Sequence, residues 1–480
     1  MRARRWTVAG ATAVAATLLA AGIWAPMEAD GATSGGVLAP VGQIVNGLLP
    51  SATSPTPTTT PTTTPTPPKV KKQWMPDLGP AFNNPLGTQK QKYVVNTRIL
   101  FAVRHAKPHS TIRFSTYSFD RQDVTKALLK VHHKKDVNVQ IVVNHNVITP
   151  NELHLQKKLG KNTKKPSFFH ICKGSCRGKG GGNEHGKIYS FTATGGARDL
   201  IIESSGNLTS GAAAGQWNDV YSIMGNTKLF STWTKVFNQL KRDRPVKHRT
   251  IMYKSKQLDV RWHRLNTAAL SQSSGTKDSV STISARKKKK KKKSGSTDPV
   301  LKRLNRVSCN TSAAHGDGKG HTTIRIIMYA WFGNRSIPIA NKVAALKRAG
   351  CNVEAILTEP GSNTVKILRA AGVPMRDAAW NYGEKMATDG SKMVWGPRLY
   401  CHLKWMLISG KYKGKNQDIV FAGSENWSGI SFSNDEVTFQ LTGAAFYNAY
   451  VAHFNQMWTT NATHTETGRT DYGWPPKPWN

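Results

Sequence analysis

Two short stretches carry side chains able to do acid–base and nucleophilic chemistry on an anion. In Cys401-His402-Leu403-Lys404-Trp405 a histidine and a lysine sit two residues apart at the head of an apolar run, Trp405 to Ile408. If that run is a strand, alternation points both side chains to one face, aiming a protonatable group and a cation together. A second strand, Ile419 to Ala422, ends in Gly423-Ser424-Glu425-Asn426, and Glu436 stands ten residues further on. Small residues and an amide there let a ligand approach the backbone. For one such grouping the plain reading is preferred: a histidine at a strand end and an asparagine in a turn.

The grouping occurs twice. Glu184-His185-Gly186-Lys187-Ile188-Tyr189 is followed by Leu200-Ile201-Ile202, by Ser204-Ser205-Gly206-Asn207 and by Trp217-Asn218-Asp219. His185 and His402 are 217 positions apart, as are Asp219 and Glu436, and Phe237-Asn238-Gln239 and Phe454-Asn455-Gln456. Asn207 and Asn426 are 219 apart, and upstream Thr111-Ile112-Arg113 and Tyr117 match Thr323-Ile324-Arg325 and Tyr329 at 212. Constant order and spacing make this an internal duplication, and two copies are too few for a solenoid. Repetition favours the active-site reading over the plain one.

Two imidazoles facing each other across a pseudo-twofold axis suit substitution at phosphorus in a diester. One attacks phosphorus to form a phospho-histidine while the other protonates the departing alkoxide, and water or another alcohol then reverses the first step. Asp219 and Glu436 are the candidates to orient the histidines. Lys187 and Lys404 would neutralise the non-bridging oxygens, with Asn207, Asn426, Ser205 and Ser424 as the phosphate-binding turn residues. The scheme calls for no metal and no cofactor.

The paired HxK motifs, each followed by a GSxN-like turn and an acidic residue, resemble the phospholipase D superfamily, in particular its secreted bacterial members, over roughly Pro76 to Trp458. Thr192 and Ser409 stand where the fuller signature has aspartate, and Ser204 replaces the first glycine of the first GSxN. The resemblance implies a metal-independent phosphodiesterase with His185 as the nucleophile and His402 as the acid.

These residues need a scaffold. Thr111 to Tyr117 reads as a strand, Asp120 to Lys134 as a helix (Val124, Ala127, Leu128, Val131) and Val137 to Val143 as a second strand. Thr323 to Ala330, Ile339 to Arg348 and Asn352 to Leu357 repeat the series. Strand, helix, strand implies a right-handed crossover. The expected fold is α/β: two similar halves, each a largely parallel sheet flanked by helices, with the active site at their interface. Their bounds are 76–250 and 311–480, joined by a connection, 251–310, that holds the unbroken lysine run Lys287 to Lys293. Such a run repels itself and reads as a solvated loop.

Ahead of the halves, residues 1–29 read as a signal peptide: Arg2, Arg4 and Arg5, an Ala-rich apolar run, then small residues. The linker 30–75 includes the Thr/Pro stretch Ser51 to Pro68, an extended spacer. A secreted or cell-envelope location is expected, consistent with five cysteines, of which Cys172 and Cys176 could pair, as could Cys309 and Cys351, leaving Cys401 as a buried structural thiol. A metal site at Cys172 and Cys176 has no second ligand pair nearby.

With 68 basic against 27 acidic residues, the formal charge is +41. Such a field draws in anionic surfaces, so the partners expected are a phospholipid or other anionic phosphodiester substrate and a peripheral anionic membrane surface, with nucleic acid as the alternative. Trp331, Phe332, Trp380, Tyr382 and Trp395 fall in segments read as loops beside the site, and Trp474 to Trp479 reads as a docking tail. The duplication removes the need for a dimer, so a monomer is expected. The leading function is phospholipid headgroup hydrolysis. Its alternatives are an extracellular nuclease with the same two histidines and a non-catalytic envelope-binding protein.

Overall fold

The computed structural model describes residues 73–179, 181–265, 298–379, 385–386, 394–395 and 399–465. The signal peptide, nearly all of the Thr/Pro linker, the lysine run, Trp380, Tyr382 and the tail Trp474 to Trp479 lie outside these residues.

The described chain forms two α/β halves. In the first, the strands Thr111–Thr116, Asn138–Val143 and Phe168–Ile171 run parallel, because the helices Gln122–Lys135 and Pro150–Leu159 carry the chain back between them. In the second, Thr323–Trp331, Asn352–Pro360 and Met375–Asp377 do the same through Ser336–Arg348 and Ser362–Ala370. The sheets as wholes are mixed rather than largely parallel. The HxK strands Ile188–Thr194 and Lys404–Tyr412 each enter a tight hairpin, with Ala197–Ser204 and Lys415–Gly423 respectively, and so short a connection permits only antiparallel pairing. Each HxK strand also lies antiparallel beside its half's first crossover strand.

Both faces of each sheet are buried, which explains the near-continuous apolar character of the strands. On the first sheet Val139, Ile141, Tyr189 and Phe191 face an outer core under the flanking helices, whereas Val142, Ile188 and Ile201 face inward. The second sheet likewise turns Ile324, Ile326 and Ile408 outward and Ile327, Leu407 and Val420 inward. The two inward faces share one central core with the helices Thr227–Leu240 and Ala444–Thr459. Leu229, Phe230, Trp233, Val236, Phe237 and Leu240 recur at helical spacing on the first of these, and Asn226 caps it by accepting the Leu229 N–H.

The connection expected over 251–310 is partly structural. Thr250–Lys254 and Leu258–His263 form a hairpin that extends the second sheet, the latter strand pairing with Glu436–Thr442. Pro299–Leu304 joins the outer core of the same half. Disulfides link Cys172 to Cys176 and Cys309 to Cys351, while Cys401 is a buried free thiol whose pKa burial pushes up to about 12. The first disulfide removes Cys172 and Cys176 as thiolate ligands for a metal. Trp331, read as a loop residue, instead ends the strand Thr323–Trp331 and is fully buried in the second half's core, so it is not exposed to a lipid or a nucleic acid. No helix among the described residues is long and apolar enough to cross a membrane.

Candidate active site

Each HxK segment is the extended lead-in to its strand, and each is stitched to the other half. The His185 N–H donates to the Asp435 carbonyl (3.0 Å) and the His402 N–H to the Trp217 carbonyl (3.0 Å). Tyr400–Cys401 also pairs in parallel with Gln216–Trp217. Each histidine thus sits beside the acidic segment of the opposite half.

The imidazole partners differ. His185 Nδ1 lies 2.9 and 3.1 Å from the two carboxylate oxygens of Glu436. That carboxylate is itself fixed by the Ser424 hydroxyl (2.5 Å) and the Asn434 amide (3.1 Å). His402 Nδ1 lies 3.2 Å from Asn218 Oδ1. The Asn218 amide nitrogen donates to the Ala212 carbonyl (3.3 Å), which orients the amide so that its oxygen faces the ring. Both rings are therefore held as Nδ1–H tautomers, the His402 ring also meets the Ser205 backbone, and no side chain among the described residues hydrogen-bonds either Nε2.

Asp219 does not orient a histidine. Its carboxylate accepts from the Trp405 indole (2.9 Å) and the Tyr450 hydroxyl (3.3 Å). The duplication explains the difference, since Trp405 corresponds to Ile188, which has no N–H with which to capture Glu436. Ser205 and Ser424 are likewise turned away from a phosphate role. Ser205 accepts the Asp219 N–H (3.0 Å) and donates weakly to Asn218 (3.4 Å), while Ser424 grips Glu436 and accepts the Val437 N–H (3.0 Å). Both hydroxyls brace the acidic strand.

The lysines fold back on their own segments. Lys187 Nζ donates to the His185 carbonyl (2.6 Å) and Lys404 Nζ to the His402 carbonyl. Tyr117 and Tyr329, duplicates of one another, each lie under one lysine and beside one imidazole: 5.5 Å from Lys187 and 5.7 Å from His185, then 5.0 Å from Lys404 and 4.6 Å from His402. The side chains of Asn207 and Asn426 make no hydrogen bond among the described residues, and their buried amide oxygens are unpaired. Asn426 is held through its backbone: Arg335 donates to its carbonyl (2.8 Å) and pairs with Glu425 (2.6 Å) and Asp298 (2.8 Å).

Burial and mutual charge set the protonation states. Burial lowers the His185 pKa against the pull of Glu436, and it lowers the His402 pKa much further because Lys404 and Lys187 add their repulsion and no carboxylate opposes them. Burial brings Lys187 down to about 8 despite Glu436, Glu184 and Glu203, and pushes Lys404 well below its ordinary value with Lys187 repelling it. Glu203, buried beside Asp219, is raised by burial and by that neighbour. An anion entering this cluster would relieve the repulsion between the lysines.

Sequence reasoning missed Asn218, Asn434 and Glu203. Asn218 could have been found as the duplicate of Asp435, adjacent to the acidic residue in each copy. Glu203 could not, because its duplicate is Ala422 and the repeat comparison sees only what both copies keep. Thr192 and Ser409, seven residues beyond the histidines, lie roughly 20 Å along the strands. Thr192 accepts the Thr111 N–H (2.8 Å), and Ser409 donates to Asp418 (2.7 Å), so these positions anchor strands rather than the site.

A family model described as cardiolipin synthase, PLD-like domain, matches residues 101–241 and again 318–458, together more than half of the chain. No curated protein matches it. Among solved structures, polyphosphate kinase from Porphyromonas gingivalis is 12% identical with a TM-score of 0.46, and the match covers 81% of this chain and 52% of that one. This chain thus spans about half the length of that kinase. Phosphatidylserine synthase from Haemophilus influenzae is 12% identical with a TM-score of 0.48, covering 81% of this chain and 87% of that one. Nuc, a phospholipase D family member from Salmonella typhimurium, is 14% identical with a TM-score of 0.23, covering 35% of this chain and 88% of that one.

Proposed function

Because the chain belongs to the phospholipase D-like family, with its domain present twice, we propose that it is an exported phosphodiesterase that hydrolyses phospholipid headgroup diesters through a phospho-histidine on His185. The observation that carries this reading is the pair of crossed contacts. Each HxK imidazole has its Nδ1–H engaged by a side chain from the opposite half.

The inequality of those contacts supports the division of roles. When His185 Nε2 attacks phosphorus, the ring becomes a cationic phospho-imidazolium, and Glu436 on its Nδ1–H offsets that charge. His402 has only neutral partners, the Asn218 amide and the Ser205 backbone, so once protonated it is a strong acid and gives up its Nε2 proton readily to the departing headgroup alkoxide. The P–O bond to the headgroup breaks as the N–P bond forms, and the headgroup leaves as its alcohol. Water then attacks phosphorus, His402 Nε2 takes its proton, and phosphatidic acid departs with His185 restored. In this reading Lys187 and Lys404 meet the non-bridging oxygens, and the amides of Asn207 and Asn426 donate to them.

The test is product analysis after incubation with phosphatidylcholine vesicles, phosphatidylglycerol vesicles and single-stranded DNA in parallel, with His185→Ala and His402→Ala as controls. The expected result is phosphatidic acid from the unmutated protein alone and a phosphoryl adduct trapped on His185. Cleaved DNA beside untouched lipid would assign the same chemistry to a nuclease, and an adduct found only on His402 would reverse the roles.

A further inference from the structure

A dense group of cations lies outside the site, where helix Thr227–Leu240 leads into the sheet-edge strand Thr250–Lys254. Arg242, Arg244, Lys247 and Arg249 are exposed there, and Lys254 and Lys256 continue the series. Asp243 is the sole acidic residue in 241–256, and its carboxylate is already engaged by the Lys173 N–H (3.0 Å) and by His170 (3.4 Å). None of the six cations pairs with a carboxylate among the described residues.

Sheet register places this connector at the site end of the molecule. Thr250, His263 and Glu436 are side-by-side partners, so the edge strand begins two strand spacings, about 10 Å, from the backbone of Glu436, whose carboxylate holds His185. The connector is also tied there by its backbone. Arg264 N–H donates to the Arg249 carbonyl (3.0 Å) and Val246 N–H to the Arg177 carbonyl (3.2 Å), while the Arg177 side chain pairs with Asp435 (2.8 Å), the neighbour of Glu436.

The side chains interleaved with these charges indicate the partner. Tyr253, the one Phe, Tyr or Trp in 241–256, is buried, and His248 is the single exposed ring, so the surface lacks the series of stacking platforms that single-stranded nucleic acid uses. The exposed apolar side chain is Met252, with Ile251 half-buried beside it. Cations with an accessible aliphatic group complement a negatively charged lipid surface. We propose that the connector 241–249, together with Met252, is the face by which the protein docks on an anionic bilayer and brings its site to the headgroups. The docking role rests on the phospholipid reading given above.

Co-sedimentation of the full chain with phosphatidylcholine vesicles, and with vesicles containing phosphatidylglycerol, tests this face. The triple variant Arg244→Glu, Lys247→Glu, Arg249→Glu is compared with Lys126→Glu, Lys130→Glu, Lys134→Glu, an equal charge change on the exposed side of helix Gln122–Lys135. The connector variant should lose at least about tenfold in binding to phosphatidylglycerol vesicles, the helix variant less than about twofold. Turnover of the monomeric diester bis(p-nitrophenyl) phosphate should be the same in both. Equal losses in the two variants would mean a diffuse field and overturn the proposal. So would loss of single-stranded DNA binding by the connector variant with vesicle binding intact. If the unmutated protein hydrolyses neither the monomeric diester nor lipid, the phosphodiesterase reading fails, and sedimentation still decides the docking face.

Discussion

The Nδ1 of His185 faces a carboxylate and that of His402 an amide, so two residues that duplication made alike now differ in proton affinity. Serving as the acid requires a protonated His402, and burial with repulsion from Lys404 and Lys187 lowers its pKa well below the ordinary histidine value, so that form is favoured only in acid. Turnover should therefore rise as pH falls towards that pKa and decline above it. Asn218→Asp supplies the missing carboxylate, which favours the imidazolium, so the alkaline limb of the kcat/KM profile should move up by about one pH unit or more. An unchanged limb would show that His402 is not the acid. Lys404 makes a second case. It is buried, repelled by Lys187, and borders a small cavity of about 20 Å³ whose wall includes Met328, Phe421 and Trp427. Lys404→Met should abolish turnover yet stabilise the fold by about 1–3 kcal/mol in thermal or denaturant unfolding, because a buried charge is replaced by an apolar chain of similar length.

At the scale of elements, the two disulfides do different work. Cys309 and Cys351 are 42 residues apart, and their bond ties the short strand Val307–Ser308, whose following Cys309 carbonyl accepts the Thr322 N–H, to the entry of Asn352–Pro360. Cys172 and Cys176 are four apart and close the loop from which Ser175 and Arg177 reach Asp435. By loop-closure entropy, losing the longer cross-link should cost about 4 kcal/mol and the shorter about 2. In denaturant unfolding Cys309→Ser/Cys351→Ser should be the less stable pair, whereas Cys172→Ser/Cys176→Ser should lose more activity through the Arg177–Asp435 contact. The opposite ranking would mean that the short loop plays no part in holding the site. Much of this level was legible beforehand. The strands at Thr111, Val137, Thr323 and Asn352 begin within a residue of where alternation and apolar runs placed them. The hairpin Thr250–Lys254 and Leu258–His263 was not legible, because its polar, basic edge strand lacks the run of buried side chains that marks a central one.

At the scale of the molecule, the inner faces of both sheets share one core, in which Trp217 and Trp233 of the first half lie with Trp405, Phe439 and Phe454 of the second. Neither disulfide joins the chain across 266–297. Tryptic cleavage confined to Lys287 to Lys293 should thus leave two fragments that co-elute on native size-exclusion chromatography and retain diesterase activity, separating only in denaturant. Fragments that part without denaturant would show that the shared core is too weak to join the halves. The duplication, the α/β crossovers, the HxK pair and the charge of +41 were all determined by sequence, because periodicity and repeat spacing are local properties that survive without knowledge of contacts. Tertiary structure alone decided that Asp219 goes to Trp405, that Asn218 takes its place behind His402, that Ser205 and Ser424 brace strands, and that Glu203 joins the charged cluster. Each of those outcomes depends on which side chain from the other half, or from a neighbouring strand, arrives within hydrogen-bonding distance, and in a duplicated chain a single unmatched residue such as Trp405 is enough to redirect a partner.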